Sequence, residues 1–169
     1  ITPFTKNEDI DEEGLRRNVD FWIEAGVHGL ATCASNGEAV YMNSEERKQV
    51  LKVVIDQANG RVPILAGTGA PSTREAILQT KEAKDLGVDA ALIITPYFFS
   101  PKQEEILGYY QDICEAIDIP IILYNVPKFT GVNMEASVVA KMAEYDNVVG
   151  VKDSSGDMRL MQALISAAG

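Results

Sequence analysis

Apolar runs begin at Val62, Ala90, Ile119 and Asn147, separated by 28, 29 and 28 residues, and that interval is the length of one βαβ unit. A chain built on it makes parallel strands, because only a crossover of this size returns a strand to the same end of a sheet. With an earlier run, the predicted strands are residues 29–33, 62–66, 90–94, 119–124 and 147–151, all of strand length and rich in β-branched residues. They are apolar nearly throughout and do not alternate. That suits strands covered on both faces, in a doubly wound sheet or a closed barrel. No complete glycine fingerprint for a dinucleotide follows any of them. Gly67-Thr68-Gly69 lacks a third glycine and reads more readily as a tight turn into a helix than as a phosphate cradle.

The intervals between strands carry helix signals. Val50, Leu51, Val54, Ile55 and Ala58 recur on one face within residues 43–59, with Ser44 as the predicted cap and Gly60 as the stop. Ser72 with Glu75 and Ser100 with Gln103 have capping-box spacing, and Pro101 suits a first helical position. Ile1 to Phe4 reads as the end of a strand. A complete eightfold barrel needs about 250 residues. The 169 residues are therefore expected to form a single, incomplete (β/α)8 barrel domain, without the start of the first strand and without the last strands.

Composition narrows the chemistry. A net charge of −10 offers no footprint for a phosphate backbone or an anionic membrane, so nucleic acid and membrane partners are not expected. No apolar run approaches the ~20 residues a spanning helix needs, and the expected location is the cytoplasm. Cys33 and Cys114 are far apart and expected to be reduced and buried, and His28 is the only histidine. No zinc-like cluster is possible from that set, and imidazole triads are nearly excluded. Proton transfer falls to Tyr, Lys, Ser, Thr, carboxylates or water.

In parallel α/β proteins the residues at strand ends carry the chemistry. Ala34 to Glu38 supplies the Ser35 hydroxyl, the Asn36 amide and, at Gly37, a backbone that an anion can approach; the same residues would also make an ordinary polar turn. Tyr97, Phe98 and Phe99 either pack under a helix or wall a pocket. Tyr124 ends an apolar strand as a proton-passing phenol or as a structural tyrosine. Lys152 ends a strand expected to be buried on both sides. An amine delivered there is costly while charged, and burial favours the neutral, nucleophilic form that imine chemistry needs. The alternative is that Lys152 leaves the sheet for solvent or pairs with Asp153. Tyr124 lies 28 residues earlier, one βα unit away, and neighbouring strands run about 4.8 Å apart, so the phenol could reach an imine on Lys152.

Taken in order, Thr2-Pro-Phe4, Ser35-Asn-Gly-Glu38, Ala66-Gly-Thr-Gly69, Thr95-Pro-Tyr97, Tyr124-Asn-Val-Pro127, Thr130-Gly131 and Val151-Lys-Asp-Ser-Ser-Gly156 resemble the dihydrodipicolinate synthase and N-acetylneuraminate lyase family of class I aldolases. The resemblance runs through nearly the whole chain. It implies a (β/α)8 barrel with a C-terminal helical extension, absent here, and assembly as a homotetramer. It implies an enzyme that makes or breaks a carbon–carbon bond between pyruvate and an aldehyde, with Lys152 as the imine-forming amine, Tyr124 as proton relay and the Ser35 hydroxyl assisting. Ser35, Asn36 and Gly37 match the loop that holds the pyruvate carboxylate. No metal or organic cofactor is implied, because the protonated imine is itself the electron sink.

Three positions depart from the family pattern. Asn36 stands where Ser or Thr is usual, although its amide still donates. Phe98 stands where a tyrosine often enters the neighbouring subunit's site. Phe129 stands where the synthases usually carry an arginine for the carboxylate of aspartate semialdehyde, and a phenyl ring makes no bidentate contact. A lyase acting on a neutral or polyhydroxylated aldehyde is thereby favoured over dihydrodipicolinate synthase. A barrel that binds without chemistry and a phosphate-binding barrel isomerase using Gly67 to Gly69 remain as readings of other classes.

Overall fold

A computed structural model describes residues 1–168. The chain alternates helix and strand except after β4, where two helices follow in succession: α1 (Glu12–Glu24), β1 (Leu30–Thr32), α2 (Ser44–Ala58), β2 (Ile64–Gly67), α3 (Thr73–Leu86), β3 (Ala90–Ile94), α4 (Gln103–Ala116), β4 (Ile121–Asn125), α5 (Pro127–Thr130), α6 (Ala136–Met142), β5 (Val148–Asp153) and α7 (Met158–Ala168). Each predicted strand is present, shifted by at most two residues at its start. The α/β class read from the 28-residue spacing holds. None of the described helices is long and apolar enough to cross a membrane.

Two compact units divide the chain. The first, Ile1–Gly67 with Glu82–Ala90, pairs β1 with β2 in parallel, Leu30 opposite Ile64 and Thr32 opposite Ala66. Helix α1 starts on Asp11, whose carboxylate accepts from the Gly14 N–H at 2.9 Å. It packs along α2 by burying Leu15 and Val19 while α2 buries Val50, Leu51, Val53 and Val54. The cap of α2 is Asn43 and not the predicted Ser44. The Asn43 side chain accepts from the Glu46 N–H at 3.0 Å and Glu46 returns to the Asn43 N–H at 2.7 Å, a reciprocal box that Ser44, one residue further on, could not close. Ile1 to Phe4 is not a strand. Its partners come from the turn that follows, with Phe4 bridging Ile10 in antiparallel fashion and Thr5 bonded to Asp9.

The second unit, Thr68–Lys81 with Ala91–Gly169, pairs β3 with β4 and β4 with β5, both in parallel. Strands β3 and β4 are buried almost throughout, and α4 packs on α6 and α6 on α7. Helix α4 begins later than predicted: Pro101 lies outside it, and Glu105 caps the Lys102 N–H at 2.7 Å. Strand β5 is half-buried at best, with Val149 59% exposed, which corrects the expectation of burial on both faces. The reason is that β5 finds a strand partner only in β4 among the described residues. Both cysteines are free and buried, and burial pushes both thiols up, Cys114 to about 11.

The glycines at the end of β2 and just beyond it are required by close packing. A Cβ on Gly67 would stand 2.1 Å from the Cys33 carbonyl oxygen, and one on Gly69 would stand 2.6 Å from the Ile94 side chain. The turn reading of Gly67-Thr68-Gly69 thus has a steric cause. Gly108, inside α4, faces open space within 4 Å. Gly67→Ala should therefore destabilise the chain by about 1–3 kcal/mol or more. Gly108→Ala should stabilise it by about 0.5–1 kcal/mol. Urea midpoints of the two variants moving in the same direction would contradict this account.

Candidate active site

The C-terminal ends of β4 and β5 bring two of the predicted residues together. Tyr124 is set opposite Lys152 in the strand register, and the Lys152 Nζ lies 4.0 Å from the centre of the Tyr124 ring. Tyr124 is 5% exposed, on a strand flanked by β3 on one side and β5 on the other. Among the described residues Lys152 is exposed, on a strand that has a partner on one side only. The geometry offers an exposed amine against the face of a buried phenol.

Behind this pair, on the opposite face of the two strands, lies a group that sequence reasoning passed over. Asn125 is wholly buried and spends its whole side chain on hydrogen bonds. Its Nδ2 donates to Asp153 Oδ1 at 2.7 Å and to Asn133 Oδ1 at 3.1 Å, and its Oδ1 accepts from the Met134 N–H at 2.9 Å. Asp153 in turn accepts from the Ser155 hydroxyl at 2.7 Å. The available signal was an asparagine at the end of an apolar strand, a poor strand former that must find partners when buried.

The aromatic candidates are placed elsewhere. Phe98 is 87% exposed, has a positive φ of 83° and meets Phe99 edge-on at 4.9 Å. With Pro71, Tyr97, Phe99 and Pro101 it lines an open cleft of about 940 Å³, so these rings wall a pocket and do not lie under a helix. Phe129, in the short α5, is 58% exposed with the Lys128 Nζ 5.5 Å above its ring. Tyr109, on α4, is committed to the core. Its hydroxyl donates to the Ala70 carbonyl at 3.1 Å and accepts from the Ala70 N–H at 3.2 Å, and burial pushes it well above the usual range.

The loop Ser35–Gly37 belongs to the first unit and is a single 3₁₀ turn. Ser35 and Asn36 are exposed. The Gly37 N–H, expected to face an anion, donates instead to the Ala34 carbonyl at 3.0 Å. A Cβ on Gly37 would meet only the Thr2 Oγ1, at 3.5 Å, so close approach does not demand glycine there. The buried Thr2, which sequence reasoning left without a role, donates to the Gly37 carbonyl at 2.8 Å and anchors the turn. Left-handed backbone at Cys33 (φ 53°) and Glu38 (φ 58°) brackets the loop on both sides.

Comparison with known proteins agrees with this arrangement of strands. The model of the dihydrodipicolinate synthetase family matches residues 1–169. The chain belongs to that family. This family member is 44% identical over 169 residues to the 4-hydroxy-tetrahydrodipicolinate synthase of Pelobacter propionicus, covering 100% of this chain and 58% of that protein. It is 46% identical over 167 residues to the enzyme of that name from Methanopyrus kandleri, covering 98% and 56%. Among solved structures, the chloride-inhibited dihydrodipicolinate synthase of Acinetobacter baumannii complexed with pyruvate matches with a TM-score of 0.97 at 46% identity, over 99% of this chain and 58% of that one. YagE, a prophage protein of the family from E. coli K12 in complex with pyruvate, matches with a TM-score of 0.94 at 31% identity, over 99% and 56%. The chain thus spans less than three fifths of these relatives' length and carries the (β/α) barrel architecture over that span.

In this family member the Thr2 anchor yields a direct test. Thr2→Val keeps the shape and removes the bond to Gly37, costing about 1 kcal/mol. The amides of Gly37 and Glu38 should exchange with solvent measurably faster in the variant. Unchanged protection of both amides would mean that Thr2 does not hold the loop.

Proposed function

We propose that this chain carries the pyruvate-binding, Schiff-base half-reaction of a class I aldolase. The observation that supports the reading best is the Lys152 Nζ lying 4.0 Å from the Tyr124 ring at paired ends of parallel strands. In this reading the Lys152 amine attacks the ketone of pyruvate, water leaves, and the protonated imine withdraws electrons so that the methyl carbon can lose a proton. The resulting enamine adds to an aldehyde carbonyl, and hydrolysis returns the amine. Tyr124 carries protons in imine formation and at the aldehyde oxygen, and the Ser35 hydroxyl assists proton transfer. Ser35 and Asn36 hold the substrate carboxylate, while Gly37 shapes their turn. Neither a metal nor an organic cofactor is required by chemistry of this class.

For the aldehyde, the synthase reaction with aspartate semialdehyde leads, because the relatives at 44% and 46% identity carry that name. One observation favours the second reading, a lyase for neutral or polyhydroxylated aldehydes. Phe129 stands in the place of the carboxylate-binding arginine, and its exposed ring offers no charge. A cytoplasmic location, a single barrel domain and assembly as a homotetramer belong to the same proposal and rest on family membership alone. Phe98 would then be the ring offered toward a neighbouring subunit.

Incubation with pyruvate and borohydride should add mass at Lys152 and nowhere else. Lys152→Ala should abolish the adduct, and Tyr124→Phe should slow its formation by about two orders of magnitude. An adduct that forms as well on Lys152→Ala protein would disprove the mechanism.

The aldehyde question has its own test. If Phe129 rejects a charged aldehyde, Phe129→Arg should raise kcat/KM for aspartate semialdehyde by about two orders of magnitude and leave neutral aldehydes nearly unaffected. An unmodified protein that already prefers aspartate semialdehyde, and gains nothing from the arginine, would fix the synthase reading and discard the lyase.

A further inference from the structure

Strands β4 and β5 do not keep one register from end to end. Ile121 is opposite Val148, but Ile122 is opposite Gly150, so Val149 has no counterpart. Beyond this bulge the pairs run Leu123 with Val151, Tyr124 with Lys152 and Asn125 with Asp153. The consequence is simple counting. Continued without the bulge, the Ile121–Val148 register would set Val151 opposite Tyr124 and Lys152 opposite Asn125. Because side chains alternate faces, Lys152 would then share a face with Asn125 and leave that of Tyr124.

Packing at the bulge does not enforce it. Val149 is 59% exposed, and a Cβ on Gly150 would meet nothing within 4 Å. The choice of register is made three residues on. The wholly buried Asn125 bonds to Asp153 Oδ1 at 2.7 Å, and its backbone carbonyl accepts from the Ser154 N–H at 2.8 Å. In the unbulged register the carbonyl would keep a ladder bond, from the Asp153 N–H, but the side-chain bond would be lost, because Lys152 would take the place opposite Asn125 and Asp153 would turn to the other face. The remaining bonds of Asn125, to Asn133 and the Met134 N–H, tie it to the segment after α5 and orient its amide toward Asp153. A misregistered strand would leave this buried amide without its carboxylate partner, at a cost no exposed residue of β5 offsets.

We infer that Asn125 and Asp153 form a register lock, a positioning pair that selects the bulged pairing of β4 and β5 and so sets Lys152 against Tyr124. The inference rests on the reading of Lys152 as the imine-forming amine. Neither lock residue touches substrate; both act through the placement of Lys152.

The natural polypeptide that carries these residues is the material for the test, with the rate and pH profile of pyruvate trapping at Lys152 by borohydride as readout and a thermal melt to report folding. Asn125→Asp sets two carboxylates together and opens the lock. It should slow trapping by about tenfold or more at saturating pyruvate and shift the pH profile, since misplacing a reacting group by about 1 Å costs up to about a hundredfold. Asp153→Asn added to it restores one amide and one carboxylate, and should recover the rate to within about threefold of the starting protein. Deleting Val149 makes the ladder regular while keeping Lys152 opposite Tyr124. In that background the same Asn125→Asp change should have little effect on the trapping rate. A merely local stabilising role would move the melt alike in both backgrounds and would not give this difference. Wild-type trapping by Asn125→Asp, a swapped pair no better than the single change, or equal sensitivity with and without Val149 would each overturn the lock. Should Asn125→Asp fail to fold, the swapped pair and the deletion background still decide it. Absence of any adduct on Lys152 in the unaltered protein would refute the Schiff-base reading itself, an outcome separate from these.

Discussion

Two side chains on neighbouring strands can serve one substrate only when the strands are in the register that puts them on the same face. A slip of one residue moves a side chain to the other face of the sheet, so register is an all-or-none constraint and not a matter of fine adjustment. Here it is met at the ends of β4 and β5, where Tyr124 is opposite Lys152. The buried asparagine behind them makes that register specific as well as stable, because its amide has bonds to lose. Apolar contacts along β3 and β4 supply most of the burial, yet they discriminate poorly between one register and the next. A polar group enclosed among them discriminates well, since an unpaired donor or acceptor in that setting is expensive.

What the sequence disclosed follows from which forces are periodic. Strand spacing is periodic, and the predicted strand at residues 90–94 coincides with β3, whose five residues are buried or nearly so. Caps are local, and they were legible to within a residue: Asn43 and Ser44 are both good caps, and only the position of Glu46 three residues after Asn43 decides between them. The exposure of β5 was not legible, because a run such as Val148 to Val151 is apolar whatever flanks it, and burial depends on partners that periodicity does not reveal. The bulge at Val149 was hidden for a related reason. Its only sign is Gly150, and a glycine inside a strand has several explanations.

The candidate site was legible to a similar, partial degree. Lys152 and Tyr124 stand at strand ends one βα unit apart, and that arithmetic brought them together. Asn125 lay within the same motif and was taken as part of its spelling, although an asparagine at a buried strand position calls for an account of its partners. Ser35, Asn36 and Gly37 were found as a polar loop after a strand. How that loop is held was not found, because the Thr2 anchor is 35 residues away, with all of α1 and β1 in between. The left-handed backbone at Cys33 and Glu38 was equally silent, for neither residue type announces a positive φ as glycine does.

Phe129 shows where an argument from one residue meets an argument from the whole chain. A ring in place of an arginine removes a bidentate contact, and the loss of such a contact is worth orders of magnitude in discrimination. Identity of 44% and 46% to proteins named as synthases weighs in the opposite sense. The two are reconcilable if a different cation meets the aldehyde's carboxylate, and the local geometry bears on this. Lys128 precedes Phe129 on the short α5, both are exposed, and the Lys128 ammonium lies 5.5 Å above the phenyl ring. An ammonium resting on an aromatic face is held in place at modest cost and remains free to bond on its other sides. It would act as a point charge and not as a fork, so discrimination for a carboxylate would be weaker than an arginine gives, and still well above that of a ring alone. In the proposed reaction Phe129 would relax the choice of aldehyde instead of reversing it.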